Sequence, residues 1–253
     1  MAALALLVSC ERKTARRAPA ADAASAPAPA LQAPVAAATA NEEPTPQPEP
    51  AASPTEAAIP AAKATPYPPR DECAKLPGFA AFRDRLSAAA KARDAEAFAA
   101  LADPGVHLDF GGGAGLDELK KRLAATDAPL WAEIDALAGL GCAVDKGVAT
   151  LPWIFARVPE SADPYKTMWV TGEDVPLRAK AAASAPGKAR LEWALVTLAG
   201  DSFDPKAAFT EVLTAAGSRG FVETAKLRSI LDYRLIADRR GGEWKIAALI
   251  AGD

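Results

Sequence analysis

The chain has 253 residues and a formal net charge of −3, with 29 basic and 32 acidic side chains mixed along its length. This mixture lacks the clustered positive charge that a nucleic-acid surface needs, so no nucleic-acid partner is expected. No stretch approaches the roughly 18 consecutive apolar residues of a membrane-spanning helix.

A short apolar run opens the chain. Residues 2–8 are all apolar, and the run ends in Leu7-Val8-Ser9-Cys10. This ending resembles the lipobox of bacterial lipoproteins, in which the cysteine receives a diacylglycerol and becomes the new N-terminus. The resemblance implies a signal peptide over residues 1–10, lipidation at Cys10, and a periplasmic protein held by this lipid at a membrane of the bacterial envelope. An ordinary secretory leader and a cytoplasmic protein are the alternatives.

Residues 11–66 are predicted to be a disordered Ala/Pro-rich tether. Between residues 18 and 66 well over half of the positions are Ala or Pro, and none is aromatic. Such a segment cannot bury enough apolar surface to offset the entropy lost on ordering its backbone. Its prolines favour extended conformations, so the tether would let a folded part move away from the membrane.

The chain has three cysteines and one histidine. If Cys10 is lipidated, Cys73 and Cys142 remain as a pair in an oxidising compartment, and we predict a disulfide between them. Two unrelated buried thiols are the alternative. The absence of closely spaced cysteines argues against a metal site, and no cofactor is expected.

Residues 67–165 are predicted to be a helix-rich α+β region. A helical pattern ends before Asp103-Pro104, and its apolar side comprises Phe79, Phe82, Leu86, Phe98 and Leu101. A short strand near Val106, a glycine turn and two further helices follow. A second strand is expected from Val148 to Phe155, at an edge or divided by Pro152.

From about residue 170 to residue 229, short apolar runs alternate with Gly, Pro, Ser and Asp, as is typical of a small β-barrel or sandwich. The runs resemble, in order, the strands of the bacterial SH3-like domain: Val175-Pro176-Leu177-Arg178, Ala189-Arg190-Leu191, Leu195-Val196-Thr197-Leu198, Phe209-Thr210-Glu211-Val212 and Gly220-Phe221-Val222. On this resemblance we identify residues 166–230 as an SH3-like β-barrel. Trp193, Phe203 and Phe209 either line a ligand groove on it or pack in its core.

Residues 231–253 are predicted to form a C-terminal hairpin. Apolar and polar residues alternate on both sides of Gly241-Gly242, a good two-residue turn. A lone hairpin is not stable in water, so we expect it to pack on residues 67–165, beside the strand near Val106 or the one near Val148. The predicted fold class is therefore α+β, with the SH3-like barrel inserted into, or following, a helix-rich domain.

Two features invite a catalytic interpretation. His107 is the only histidine, and a role as a general base would require partners that the sequence does not place. The glycine run Gly111-Gly112-Gly113-Ala114-Gly115 follows a predicted strand, but it lacks the Lys-Ser/Thr ending of a phosphate-binding loop, which favours a simple turn. We therefore predict no catalytic residues.

These observations lead to three hypotheses of function. The first is a non-enzymatic envelope lipoprotein whose SH3-like module binds cell-wall peptide or a protein partner. The second is a structural or assembly protein whose barrel binds no ligand. The third, and weakest, is a periplasmic hydrolase centred on His107.

Overall fold

The computed structural model describes residues 66–126 and 130–252. The predicted signal peptide, Cys10 and the tether up to residue 65 lie outside the described residues. The described part has a mixed α+β architecture with four α-helices and two β-sheets.

The helices precede most of the strands. They are α1 (Phe79–Ala92), α2 (Ala95–Ala99), α3 (Leu116–Ala124) and α4 (Leu130–Ala138). The first two correspond to a single predicted helical pattern, which the structure divides. Arg93 adopts a positive φ of 54°, and the carboxylate of Asp94 accepts a hydrogen bond of 2.9 Å from the Ala97 N–H at the start of α2. A capping carboxylate of this kind begins a new helix.

The strands are β1 (Ala102–His107), β2 (Ala143–Asp145), β3 (Val148–Leu151), β4 (Thr167–Val170), β5 (Val175–Arg178), β6 (Gly187–Leu191), β7 (Leu195–Leu198), β8 (Phe209–Thr214), β9 (Arg219–Glu223), β10 (Leu227–Ser229), β11 (Arg234–Arg240) and β12 (Glu243–Ile250). The second predicted strand of the helix-rich region ends at Leu151. A 3₁₀ helix, Trp153–Ala156, follows it after Pro152.

The first sheet has five strands in the order β1-β12-β11-β3-β2. The hairpin β11–β12 joins it on both sides, because β11 pairs antiparallel with β3 and β12 pairs parallel with β1. The chain leaves this sheet after β3 and returns to it at β11. The second sheet therefore lies, in sequence, between two strands that are neighbours in the first.

The second sheet has seven strands in the order β10-β4-β7-β8-β9-β5-β6. Its strands pair antiparallel throughout, and among the described residues its end strands, β10 and β6, do not pair with each other, so the sheet is not a closed barrel. The predicted opening strand, β5, is preceded by β4, which pairs with β10 and β7. A 3₁₀ helix, Thr224–Lys226, connects β9 to β10.

Three apolar clusters hold these layers together. The first lies between the helices and the five-stranded sheet and is rich in aromatic rings, with Phe82 and Phe98 completely buried. The second lies inside the seven-stranded sheet and is built from aliphatic side chains such as Leu177 and Val212. The third joins the two regions through Trp153, Ile154 and Trp169.

The described residues provide neither a membrane-spanning helix nor a metal-binding cluster. Across residues 66–126 and 130–252, none of the helices has both the length and the apolar character needed to cross a membrane. The same residues contain no cluster of His, Cys, Asp and Glu side chains suited to holding a metal ion.

Candidate functional site

Trp193 lies in the third cluster. Its ring centroid is 5.3 Å from that of Trp169, and it packs with residues of the helix-rich region. Its backbone has a positive φ of 42°, and its carbonyl oxygen accepts a hydrogen bond of 2.7 Å from the Tyr67 N–H. The structure therefore gives Trp193 a packing position between the two regions.

Phe203 and Phe209 occupy different environments. Phe203 is half-buried and packs against the second cluster. Phe209, at the start of β8, is also half-buried, but in the described part of the chain it belongs to none of the three clusters. The three predicted groove residues are thus not gathered in one cluster, and only Phe209 lies outside the apolar cores.

The alternation along β8 and β9 explains the position of Phe209. In β8, Thr210, Val212 and Thr214 are buried, whereas the intervening residues are half-buried. Successive side chains of a strand point to opposite faces, so Phe209 lies on the face opposite the second cluster. We call this surface the outer face. Its apolar members are Phe209, Leu213 and Phe221, and its charged members are Arg178, Glu211, Arg219 and Glu223.

Charged and apolar side chains oppose each other across the outer face. Phe221 lies opposite Glu211 on one side and Arg178 on the other. Leu213 lies opposite Arg219, and Phe209 lies opposite Glu223. One ion pair crosses the strands, with 3.5 Å between Arg219 Nη1 and Glu211 Oε2. Directly opposed residues of this kind lie within about 5.5 Å of each other, so the outer face presents apolar patches framed by both signs of charge.

Gly220 holds the strands of this face close together. A Cβ atom at this position would lie 2.7 Å from Leu177 Cγ and 2.8 Å from the Arg178 carbonyl oxygen. Only a glycine leaves room for β9 to approach β5 this closely. The position of Phe221, the next residue, therefore depends on Gly220.

The structure does not assemble a hydrolase site around His107. The residue is exposed in β1, where its backbone pairs with Ala248 and Ala114. Among the described residues, its imidazole has no hydrogen bond or ion pair. A general base needs a nucleophile and an orienting group within hydrogen-bond reach, and neither is present there.

The glycine run after β1 is an internally satisfied turn. The carboxylate of Asp109 accepts hydrogen bonds of 2.8 Å from the N–H groups of Gly111 and Gly113, and Arg122 binds the same carboxylate. The hydrogen bond from Arg122, followed by that from Gly113, lowers the pKa of Asp109. The donors that a phosphate would use are already taken by this side chain, so the turn is not an anion cradle.

Sequence reasoning missed a polar junction at Glu72. Its carboxylate accepts hydrogen bonds from the Val144 N–H at 3.0 Å and from Trp153 Nε1 at 2.8 Å, and it forms an ion pair with Arg157. Burial acts to raise the pKa of Glu72, but the hydrogen bonds from Trp153, Val144 and Arg157 outweigh it, and the pKa is lowered. The partners are 72 to 85 residues away in sequence, so no local pattern indicates them.

The two cysteines of the helix-rich region are joined. Cys73 and Cys142 form a disulfide with a Cα–Cα distance of 5.7 Å, and both residues are almost fully buried. The disulfide ties the segment before α1 to the start of β2. Because no solvent reaches it, its role in the described part is structural.

No protein-family model matches the chain, and no curated protein matches it either. Among solved structures, it is similar to a protein of unknown function with a cystatin-like fold from Nostoc punctiforme, with 10% identity over 72% of this chain and 93% of that chain and a TM-score of 0.26. It is also similar to an NTF2-like protein with a cystatin-like fold from Novosphingobium aromaticivorans, with 13% identity over 71% and 90% and a TM-score of 0.24. Likeness at these TM-scores carries no functional argument.

Proposed function

We propose that the chain is a non-enzymatic lipoprotein of the cell envelope whose residues 166–230 form an SH3-like module that binds cell-wall peptide or a protein partner on its outer face. The lipid at Cys10 would hold the protein at the membrane, and the tether would carry the module away from it.

The single observation that supports the module most strongly is the strand order of the second sheet. Strands β7, β8 and β9 form a consecutive antiparallel meander, and a 3₁₀ helix leads from β9 to β10. Strand β10 then pairs with β4, which brings the two ends of the module together. In sequence, the hairpin β5–β6 lies between β4 and β7. In space, its strand β5 pairs with β9. This arrangement agrees with the SH3-like resemblance of the individual runs.

The side chains of the outer face are suited to a peptide ligand. Phe209, Leu213 and Phe221 are apolar side chains that the second cluster does not use, and each has a charged residue directly opposite it. Peptide recognition combines apolar anchors with a few polar groups that set orientation. A cell-wall peptide, which carries both amines and carboxylates, suits a face with Arg219, Glu211 and Glu223.

The test is co-sedimentation of the full chain with purified cell-wall sacculi. We expect saturable binding, and we expect Phe209→Ala and Phe221→Ala each to weaken it by about tenfold, as is typical when an aromatic anchor is truncated. The matched control is Phe110→Ala, which removes a 61% exposed phenyl ring that lies off the outer face.

Each outcome of this test has a distinct meaning. Binding that falls equally in the Phe110→Ala control would place recognition elsewhere. Failure of the full chain to sediment would exclude cell-wall peptide and leave a protein partner. A separate experiment tests the anchor: the expressed chain should incorporate a radioactive fatty acid, and the Cys10→Ala variant should not.

One observation favours the second candidate function, a structural or assembly role without a ligand. Trp169 and Leu195 of the seven-stranded sheet pack in the third cluster with Trp153 and Ile154 of the helix-rich region. Part of the seven-stranded sheet is thereby committed to supporting its neighbour. This alternative predicts that outer-face variants leave all binding unchanged, whereas Leu195→Ala lowers the stability of both regions.

A further inference from the structure

A recess lies away from the outer face, between α1 and α4. It has a volume of about 250 Å³, and the buried side chains of Leu151 and Leu235 from the five-stranded sheet form its floor. The recess is open to solvent on one side, and its lining is mainly apolar.

The recess exists because one stretch of α1 carries small side chains. The N-terminal half of α1 packs through Phe79 and Phe82. Further along the helix, Ser87 and Ala90 face α4 across the recess and are too small to fill it. The opposite wall is formed by Ile134 and Leu137 of α4.

Two ion pairs bound the recess at its ends. Arg83 pairs with Asp71 at one end, and Arg93 pairs with Asp135 at the other. Arg93 also lies over the ring of Trp131, with its guanidinium carbon 5.6 Å from the ring centroid. The span along α1 from residue 83 to residue 91 is about 12 Å at the helical rise per residue. A slot of this length is too short for a partner helix and suits a medium-length aliphatic chain.

One positive charge at the mouth is left unmatched. Lys91 is exposed and lines the recess, and in the described part of the chain no carboxylate lies within salt-bridge distance of its ammonium group. The charge of Asp135, which also lines the recess, is balanced by Arg93, and that of Arg83 is balanced by Asp71. The recess therefore combines an apolar interior with a net positive mouth.

We propose that this recess binds a free medium-chain carboxylate. The aliphatic chain lies over Leu151 and Leu235 between α1 and α4, and the carboxylate approaches Lys91. The volume of about 250 Å³ is below the range of about 300–1,000 Å³ of drug-sized ligand pockets, which agrees with a single unbranched chain. This site is separate from the outer face, and neither proposal depends on the other.

The test uses isothermal titration calorimetry of the full chain with decanoate and with the neutral decan-1-ol. We expect one saturable decanoate site. Ser87→Leu fills the recess and should weaken binding at least about tenfold. Its matched control, Ala81→Leu, adds the same side chain at an exposed position of the same helix and should bind decanoate normally.

The role of the charge is tested with Lys91→Gln. This variant should weaken the binding of decanoate about threefold, as for an exposed ion pair, but leave the binding of decan-1-ol unchanged. The control Arg85→Gln, at an exposed position of the same helix, should change the binding of neither compound.

Folding of each variant is checked by far-ultraviolet circular dichroism and thermal melting. If Ser87→Leu does not fold, Ser87→Met takes its place, because its unbranched side chain fills irregular gaps with less strain. No saturable decanoate binding to the full chain, or undiminished binding in a folded variant with the recess filled, overturns the proposal. Equal effects of Lys91→Gln on decanoate and decan-1-ol overturn the role of the carboxylate.

Discussion

The two regions of the described chain differ in how their cores are built. The helix-rich region concentrates its packing in large rings, with Phe79 5.1 Å from Trp244 and Phe98 5.5 Å from Trp131 between ring centroids, and it contains the disulfide. The buried members of the second cluster are all aliphatic or Met, spread over strands of three to six residues. The stability of the first region should therefore depend on a few strong interactions, and that of the second region on many weaker contacts.

The difference also explains where apolar surface stays open. In the helix-rich region, bulky rings pack at the start of α1, and small residues further along this helix leave a recess beside α4. In the seven-stranded sheet, the aliphatic core occupies one face and leaves half-buried rings on the other. The first arrangement leaves a recess between helices, and the second leaves an exposed face on a sheet.

The largest effect is expected from removing the disulfide. Cys73→Ala with Cys142→Ala frees a loop with a sequence separation of 69 residues. In the chain-entropy model this costs about 4 kcal/mol in free energy of unfolding. Urea denaturation measures the loss, and Cys10→Ala, which removes the third cysteine, should leave the free energy of unfolding unchanged.

Hydrogen exchange followed by mass spectrometry sharpens this prediction. Both cysteines belong to the helix-rich region, so amides of β1 and β12 should lose more protection than those of β8 and β9. Equal loss in the two sheets would mean that the two regions unfold as one cooperative unit and that their cores do not act separately.

The second-largest loss of stability is expected from Leu177→Ala in the seven-stranded sheet. Leu177 is completely buried in the second cluster, and its truncation should cost about 3 kcal/mol in free energy of unfolding. Protection should fall mainly in β5, β8 and β9. The control is Leu213→Ala, the same change on the half-buried outer face, which should cost less than half as much when both are measured by urea denaturation.

Much of the fold follows from local patterns in the sequence. The apolar stripe Leu130, Ile134, Leu137 and Leu140 predicts the last of the helices before β2, and the structure has α4 there, ending at Ala138. Alternation around Gly241-Gly242 predicts the C-terminal hairpin, and β11 and β12 occupy those residues. Each of these elements has one buried and one exposed side, so its period is visible in the sequence.

The missed elements lack such a period. All four residues of β4 are buried, including the polar Thr167, so no exposed position alternates with a buried one and alternation cannot reveal the strand. The break at Arg93 and Asp94 contains neither Gly nor Pro, and only the capping preference of Asp94 indicates it. The sequence leaves Trp193 open between a ligand groove and the core, because its packing partner, Trp169, lies in that undetected strand. Long-range contacts decide these cases, and one sequence does not contain them.

A smaller effect, about 2 kcal/mol in free energy of unfolding, is expected from Glu72→Gln, because hydrogen bonds to a charged group are lost in the junction with Trp153 and Arg157. The folded state lowers the pKa of Glu72 below its ordinary value of 4.5. Its stabilisation is therefore fully present above about pH 4.5 and is lost as the pH falls through the folded-state pKa.

Urea denaturation between pH 7 and pH 3 tests this prediction. The difference between the wild type and Glu72→Gln should shrink on acidification, whereas Glu243→Gln, at a side chain that is 70% exposed, should show little difference at any pH. A constant difference for Glu72→Gln would show that the charge of this carboxylate does not stabilise the junction.

The smallest effect, and the opposite pH dependence, is expected at Glu133. Its carboxylate lies 3.6 Å from Arg228 Nη1, in a cluster that also contains Asp232. Burial, followed by the charge of Asp232, raises the pKa of Glu133 and outweighs the attraction of Arg228. A raised folded-state pKa means that the stabilisation is present below the ordinary value of 4.5 and is lost as the pH rises through the folded-state pKa.

Glu133→Gln should therefore be neutral or slightly stabilising at pH 7, by less than about 1 kcal/mol, since Asp232 still pairs with Arg228. Its advantage over the wild type should disappear as the pH falls toward 4.5, while Glu160→Gln, at an exposed position, stays close to the wild type throughout. Because Arg228 lies in β10 and Glu133 lies in α4, this pair also connects the two regions. A clear loss of stability in Glu133→Gln at pH 7 would mean that the ion pair holds the seven-stranded sheet against the helices, and that the two regions are less independent than their cores suggest.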